Sequence, residues 1–300
     1  MSFNRWKSID DYTYVFRLFS KHHEYMNSLY WASVPASSFV IGTHKRELQI
    51  NAKKTTHEIL KISDKNIDSI RVTKSSEDYV KHLKEFDNWT RLNVLVSISA
   101  YFETYLSSVV SLAIESDLGL IYSIPKKIDG ISILKHKNDN EYSFFDKSES
   151  ITKGTWAQRI SAYKKLFANV PQALIDFESD LEKMRNIRNN VAHAFGRGIE
   201  ESRARNNRNI QSIERISIER LKKYMCIIRK VAKEIDKQLL SNHIGEYELI
   251  YFYHKEKINL KKSINAYELK KMFNALKIKN RNIVEPDIVY NSQKLGKFIN

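Results

Sequence analysis

The stretch "LNVLVSISAYFETYLSSVVSLAI", residues 92–114, decides the fold class. Leu92, Leu95, Val96, Ser99, Phe102, Glu103, Leu106 and Val110 recur three and four residues apart, the spacing of one helix face rather than the alternation of a strand. The pattern extends from Glu77 to about Leu118. No apolar run in the chain reaches the ~20 residues a membrane span requires. Glu103 and several serines interrupt this one, so it reads as a buried soluble helix. Only 8 glycines and 4 prolines occur in 300 residues, which favours helices over a turn-rich β architecture.

Towards the N-terminus, residues 10–33 carry a helical pattern with Tyr14, Leu18, Tyr25 and Leu29 among its apolar positions, and "VPASS" is expected to end it. Within 38–75, "SSFVIGT" has the look of a strand and "THEILKIS" of a short helix. Downstream, Gly119–Ser150 is punctuated by Pro, Gly and Asn-Asp, and is expected to form an insert with short strands. Helices resume at about Thr155 with "TWAQRISAYKKLF" and lead into "PQALIDFESDLEKMRNIRNNVAHAF", where Pro171 suits a first helical turn. Leu174, Phe177, Leu181, Met184, Ile187 and Val191 form its apolar stripe. After "GRGIEESRARNNRN" comes another amphipathic helix, roughly 217–241, with Leu221, Met225, Ile228, Val231, Ile235 and Leu239 on one face. In the last sixty residues "YELIYFYHKEKINL" reads as a strand or hairpin and "NAYELKKMFNALK" as a helix, with Asn265 and Glu268 spaced like a capping box. The expectation is a mainly α chain in three segments: a partly helical 1–75, a helical domain at 76–243 with an insert at 119–152, and a small C-terminal α/β module at 244–300.

The formal net charge of +15 points to an acidic partner, most simply nucleic acid, or else to a lysine-rich surface kept for solubility. The single cysteine, Cys226, excludes an internal disulfide framework and any multi-cysteine metal site, and suggests a reducing cytoplasm. It falls on an apolar helix face and reads as a small core residue. The opening "MSFNRWKSIDDYTYVF" lacks the apolar core of a signal peptide. Gly-rich phosphate loops, a Gly-x-Ser-x-Gly elbow, His-Glu-x-x-His and calcium loops are absent, and His22-His23 has no third ligand at metal spacing and reads as a surface pair. Neither metal nor cofactor is expected.

One constellation carries chemistry. In "RNIRNNVAH", residues 185–193, Arg185, Asn189 and His193 follow one another a turn apart along a single helix row, beside the stripe of Met184, Ile187 and Val191. Arg188 lies roughly 140° round an ideal helix from His193, so its long arm or a loosened helix end is needed to join them. A histidine can take the proton of a ribose 2′-hydroxyl or protonate a leaving 5′-oxygen. An arginine can neutralise charge building on a phosphate. Together they suffice to cleave RNA to a 2′,3′-cyclic phosphate without metal. The bare Arg-x4-His spacing is uninformative, since Arg17 and His22 repeat it; the polar amide at 189 and the run into "VAHAFGRG" set the second copy apart. The plainer reading has Arg188 and His193 meeting the dipole of a helix end.

"RNNVAH", residues 188–193, at the end of an amphipathic helix resembles the Arg-polar-x3-His form of the HEPN superfamily, and residues 93–110 look like the long helix that precedes the motif. The resemblance covers roughly residues 80–240. It implies a bundle of four or five helices that pairs as a homodimer, so that two motifs form one composite RNA-cutting cleft. By that resemblance His193 is the general base or acid, Arg188 holds the scissile phosphate, and Asn189 orients it or the imidazole. Glu103 positions Arg188 or His193, and Arg185, Arg197, Arg203, Arg205 and Arg208 track the RNA backbone. The expected function is a metal-independent endoribonuclease, a toxin or antiphage-defence effector, acting on tRNA or mRNA and held in check by an antitoxin or sensor protein. The alternative is a catalytically silent helical module that binds RNA or a partner protein. A neutralising antidote that mimics nucleic acid is argued against by the +15 charge.

Overall fold

In the structure, a computed structural model describing residues 4–8, 10–63, 65–136, 144–194 and 213–252, the regular elements among the described residues are all helical. They are α1 (Tyr14–Ile50), α2 (Thr56–Leu60), α3 (Ser76–Ser116), α4 (Gly130–His136), α5 (Phe145–Thr152), α6 (Trp156–Phe167), α7 (Gln172–Asp176), α8 (Glu178–Ala194) and α9 (Ile218–Leu239). Turns of 3-10 helix lie at Ile67–Arg71 and Leu118–Tyr122, a π turn at Leu240–Ile244 extends α9, and 247–252 are again helical. The chain divides into two compact units. The first comprises Met1–Tyr25, Ile98–Asn186 and Lys223–Asn300; the second comprises Met26–Ser97 and Ile187–Lys222. The division falls inside α1, α3, α8 and α9 and coincides with none of the boundaries at 75, 76, 243 and 244.

The first unit is built on the C-terminal half of α3 and on α9. Val109, Val110, Ala113 and Ile114 of α3, and Val231, Ala232, Ile235 and Leu239 of α9, are fully buried, each large side chain contributing about 1.5–3 kcal/mol. Phe19 of α1 packs on Phe102 and Tyr105, and the Tyr105 hydroxyl donates to the Ala232 carbonyl at 2.9 Å. Buried polar groups pin the ends. Thr13 Oγ1 accepts from the Phe16 N–H at 3.0 Å at the start of α1, while Asp236 accepts from the Thr13 N–H at 3.0 Å and its hydroxyl at 2.5 Å. Burial pushes the Asp236 carboxyl up to about 6. His23 is also buried and lies 3.0 Å from the Met225 carbonyl; burial lowers its pKa to about 4.

The second unit buries Tyr30, Ser37 and His44 on one face of α1, and Leu92, Val94 and Leu95 on α3. The His44 ring stacks on Tyr79 at 5.0 Å. Asn88 grips the segment leading into α9 from both sides: its Nδ2 donates to the Glu214 carbonyl at 2.8 Å and its Oδ1 accepts from the Ile216 N–H at 3.0 Å. Arg91 adds a 2.7 Å bond to the Ile216 carbonyl. Thr55 and Glu58 form a capping box at the start of α2.

The mainly α class is confirmed, and several local readings are corrected. α1 does not stop at "VPASS" but runs through Pro35 to Ile50, so "SSFVIGT" is helix rather than strand. A mid-helix proline costs about 3 kcal/mol. Only the bond to the Trp31 carbonyl needs to be lost, and Tyr30 and Ser37 are buried on either side of it. Ser33 adds a 2.7 Å bond to the Tyr30 carbonyl. In the insert, the described residues form α4 and α5 and a lone antiparallel bridge, Asp117 to Asp129, instead of short strands. Side chains satisfy its backbone: Asp117 accepts from the Lys126 N–H at 2.7 Å, and the Arg5 guanidinium reaches Asp129 and both the hydroxyl and the carbonyl of Ser116 at 2.7 Å. Pro171 stands just before α7 and is not inside it, and the long helix expected from 171 is broken at Phe177 into α7 and α8. The first six residues of "YELIYFYHKEKINL" are helical; its remainder, "NAYELKKMFNALK" and the rest of the expected α/β module lie outside the described residues. His22-His23 is not a surface pair, since His23 is buried and His22 stacks on Tyr101 at 3.7 Å. Cys226 is half-buried on α9, and burial raises its thiol. By length and composition α3 alone among the described helices is apolar enough to cross a membrane, yet more than half of its most apolar window is buried inside the protein.

Candidate functional site

α8 forms because Glu178 and Asp180 meet the positive end of its dipole, His193 occupies the negative end, and Leu181, Met184 and Ile187 give it a buried stripe. Its polar residues fall into two groups, one in each compact unit.

In the first unit, Glu182 and Arg185 join a cluster that α3 and α6 complete. Arg159 of α6 donates from Nη2 to Glu103 Oε1 at 3.0 Å and from Nε to the Gly154 carbonyl at 3.0 Å, and its guanidinium lies 4.8 Å from the Trp156 ring centroid. The Arg159 side chain is 5% exposed and that of Glu103 22%. Glu182 accepts the Trp156 N–H at 3.0 Å, which caps the first turn of α6 beside the Thr155–Gln158 capping box. Arg185 grips the same carboxylate in a fork, with Nη2 to Oε1 at 2.6 Å and Nε to Oε2 at 3.1 Å. That fork, foremost, holds the Glu182 carboxyl below its ordinary range and raises the Arg185 guanidinium. Arg185 Nη2 also donates to Asn186 Oδ1 at 3.0 Å.

In the second unit, Arg188 Nη1 donates to Asn189 Oδ1 at 3.0 Å. Both side chains are half-buried, whereas His193 is exposed in the last turn, four residues beyond Asn189. The helix stays regular through Ala194, so the offset between Arg188 and His193 along one copy of α8 remains that of an ideal helix. A guanidinium oriented by a neighbouring amide carries the positive charge that a phosphate attracts, and an imidazole is the side chain suited to acid–base work.

The structure thus brings Arg188 and Asn189 into contact and sets Glu103 against Arg159. Arg197, Arg203, Arg205 and Arg208 lie outside the described residues. Arg159 was missed in the sequence, although a signal was present. Trp156, Arg159, Tyr163 and Phe167 share one spacing, and a basic residue in such an apolar stripe calls for a buried carboxylate; Glu103, lodged in its own apolar stripe, is the matching half. No group of three or more His, Cys, Asp or Glu side chains placed to hold a metal ion occurs among the described residues. No family model, curated protein or solved structure matches the chain.

Proposed function

We propose that the chain is a metal-independent endoribonuclease of HEPN type, a cytoplasmic toxin or antiphage-defence effector restrained by an antitoxin or sensor protein. The reading is supported by the Arg188–Asn189 hydrogen bond at 3.0 Å with His193 exposed on the same helix end. In the proposed reaction the ribose 2′-oxygen attacks phosphorus and the bond to the 5′-oxygen breaks, leaving a 2′,3′-cyclic phosphate and a 5′-hydroxyl. His193 of one copy accepts the 2′-proton, and a second histidine across a homodimer returns one to the leaving oxygen. Arg188, held by Asn189, balances the charge on the phosphate. A two-fold pairing of motifs also removes the geometric difficulty of uniting Arg188 and His193 on one helix. The +15 charge supports RNA as the partner and equally suits a silent RNA-binding module.

The test is incubation of the purified chain with labelled total tRNA and a single-stranded RNA in EDTA, comparing wild type with His193→Ala and mapping the product ends. Cleavage by wild type alone, with cyclic phosphate ends, is expected. Equal cutting by both proteins overturns the assignment of His193. RNA binding without cleavage by either, together with equal growth of cells expressing them, favours the silent module.

A further inference from the structure

In the first unit, Arg5 enters a pocket matched to every donor that its side chain has. Nε and Nη2 grip Asp129 as a fork at 2.9 and 2.7 Å. Nη1 donates to Ser116 Oγ at 2.7 Å and to the Ile244 carbonyl at 3.1 Å, and Nη2 also donates to the Ser116 carbonyl at 2.7 Å. All five N–H groups of the guanidinium are thereby used, a planar set that the tetrahedral ammonium of lysine cannot reproduce. The backbone is read as well. The Glu246 N–H donates to the Arg5 carbonyl at 2.8 Å, and Gly245, at φ +55°, lies where a Cβ would run into that same oxygen. The half-buried Trp6 ring stacks over the guanidinium, 3.3 Å from ring centroid to Cζ.

The pocket is assembled by bonds in which Arg5 takes no part. The Ser116 hydroxyl donates to the His243 carbonyl at 2.7 Å, which leaves its lone pairs to the guanidinium. Asp129 Oδ1 accepts the Ile131 N–H at 2.9 Å, and Asp129 is bridged through its backbone to Asp117. Asp117, fully buried, holds His243 Nδ1 at 2.9 Å and so fixes the turn that presents Ile244 and Glu246. The receptor is therefore built without its occupant. It is also acidic, with the carboxylates of Asp117, Asp129 and Glu246 gathered in a chain of net charge +15. Where the bulk charge attracts anions, this pocket suits a cation.

The occupant is bolted at one residue. Among the described residues, segment 4–7 is hydrogen-bonded to other elements through Arg5 alone, while Trp6 and Lys7 donate within the segment to Asn4. Asn4 and Lys7 are exposed.

We infer that this pocket is a recognition site for an arginine-bearing peptide, filled in cis by the N-terminal segment and open to an Arg-aromatic segment of another protein when that segment withdraws. The tether holds Arg5 at an effective concentration in the roughly mM range, so the partner's arginine competes with Arg5 for one place. The inference is independent of the nuclease reading, because peptide binding is measured whether or not RNA is cut.

The test is isothermal titration of the full chain with the acetylated and amidated peptide Asn-Arg-Trp-Lys, the sequence of residues 4–7. Arg5→Ala is expected to bind one peptide per chain, about tenfold more tightly than the same peptide with lysine in place of arginine. Wild type, its pocket already filled, is expected to bind about a hundredfold more weakly than Arg5→Ala. Arg5→Ala/Asp129→Asn is expected to lose the binding while keeping its helical circular dichroism signal. In wild type, the Glu246 amide is expected to exchange with deuterium faster than the amides of Val231 and Leu239 in α9, because the segment opens locally. That measurement decides the matter should Arg5→Ala fail to fold. No binding by a folded Arg5→Ala, equal binding of the arginine and lysine peptides, equal binding by wild type, an affinity untouched by Asp129→Asn, or Glu246 exchange as slow as that of the α9 core would each overturn the proposal.

Discussion

Arg159 Nη2 stands 3.0 Å from Glu103 Oε1 and ties α6 to α3 through two charged side chains in otherwise apolar stripes. Removing one partner of such a pair leaves a charge in a site from which water is largely excluded. Glu103→Ala is expected to destabilise the chain by about 3 kcal/mol, the low end for a buried pair because Glu103 retains some exposure. Glu103→Leu/Arg159→Met is expected to lose less than the sum of its single variants. Urea midpoints of the four proteins measure the coupling, and strictly additive losses would show the pair to be energetically inert.

Two buried groups oppose each other in the acid range. Asp236 has its pKa raised to about 6 by burial, so the native state holds that proton more tightly than the unfolded chain; its contribution to stability is complete at low pH and is lost as pH rises through 6. His23, lowered to about 4, behaves oppositely: its contribution is complete above its ordinary value and is lost as pH falls through 4. Each shift corresponds to roughly 3 kcal/mol, and over pH 4–6.5 the two nearly cancel. Relative to wild type, His23→Gln is expected to gain stability on acidification from pH 7 to 4, and Asp236→Asn to lose it. Parallel unfolding profiles for the three proteins would contradict both assignments.

Glycines at two positions are expected to respond in opposite directions. Gly42 lies inside α1 with open space where a Cβ would stand, so Gly42→Ala should raise stability by about 0.5–1 kcal/mol through helix propensity. A Cβ on Gly130 would fall inside the Glu115 carbonyl, a backbone atom that cannot yield alone. Gly130→Ala is expected to lower the melting temperature sharply, by far more than Gly42→Ala raises it. Thermal melts of the two variants give the comparison directly.

For the proposed chemistry, His193→Ala should lower RNA cleavage by about 10²–10⁴-fold. Because His193 is exposed, its melting temperature should stay near that of wild type. Arg188→Lys should also be impaired despite its retained charge, since an ammonium cannot reproduce the guanidinium fork. Rescue of Arg188→Lys to wild-type rates would assign Arg188 to simple charge neutralisation.

The long amphipathic helices are legible in the sequence. All six stripe residues named on α9, from Leu221 to Leu239, are buried, as are Leu92, Leu95, Phe102, Leu106 and Val110 of α3. Periodicity over many turns reports which face must leave water, and that requirement is local to one helix. Short-range cues were weaker. Pro35 reads as a stop and Gly119–Ser150 as strand and turn, yet packing around Tyr30 and Ser37 carries α1 onward, and Arg5, distant in the chain, supplies the bonds a strand ladder would have made. Of the candidate site, the Arg188, Asn189 and His193 spacing on a helix end was readable, because it depends on one helix alone.

Side-chain order along the chain thus settled the helical class, the apolar faces and the residues able to do acid–base work, since helical pitch converts spacing into a face. It could not settle which charge meets which. That Glu103 is taken by Arg159, that His23 is buried while His22 stacks on Tyr101, and that Leu29 and Phe39 are left facing water follow from contacts between segments far apart in sequence. Burial, and with it the energy of every charge and apolar side chain, belongs to the packed chain rather than to any stretch of it.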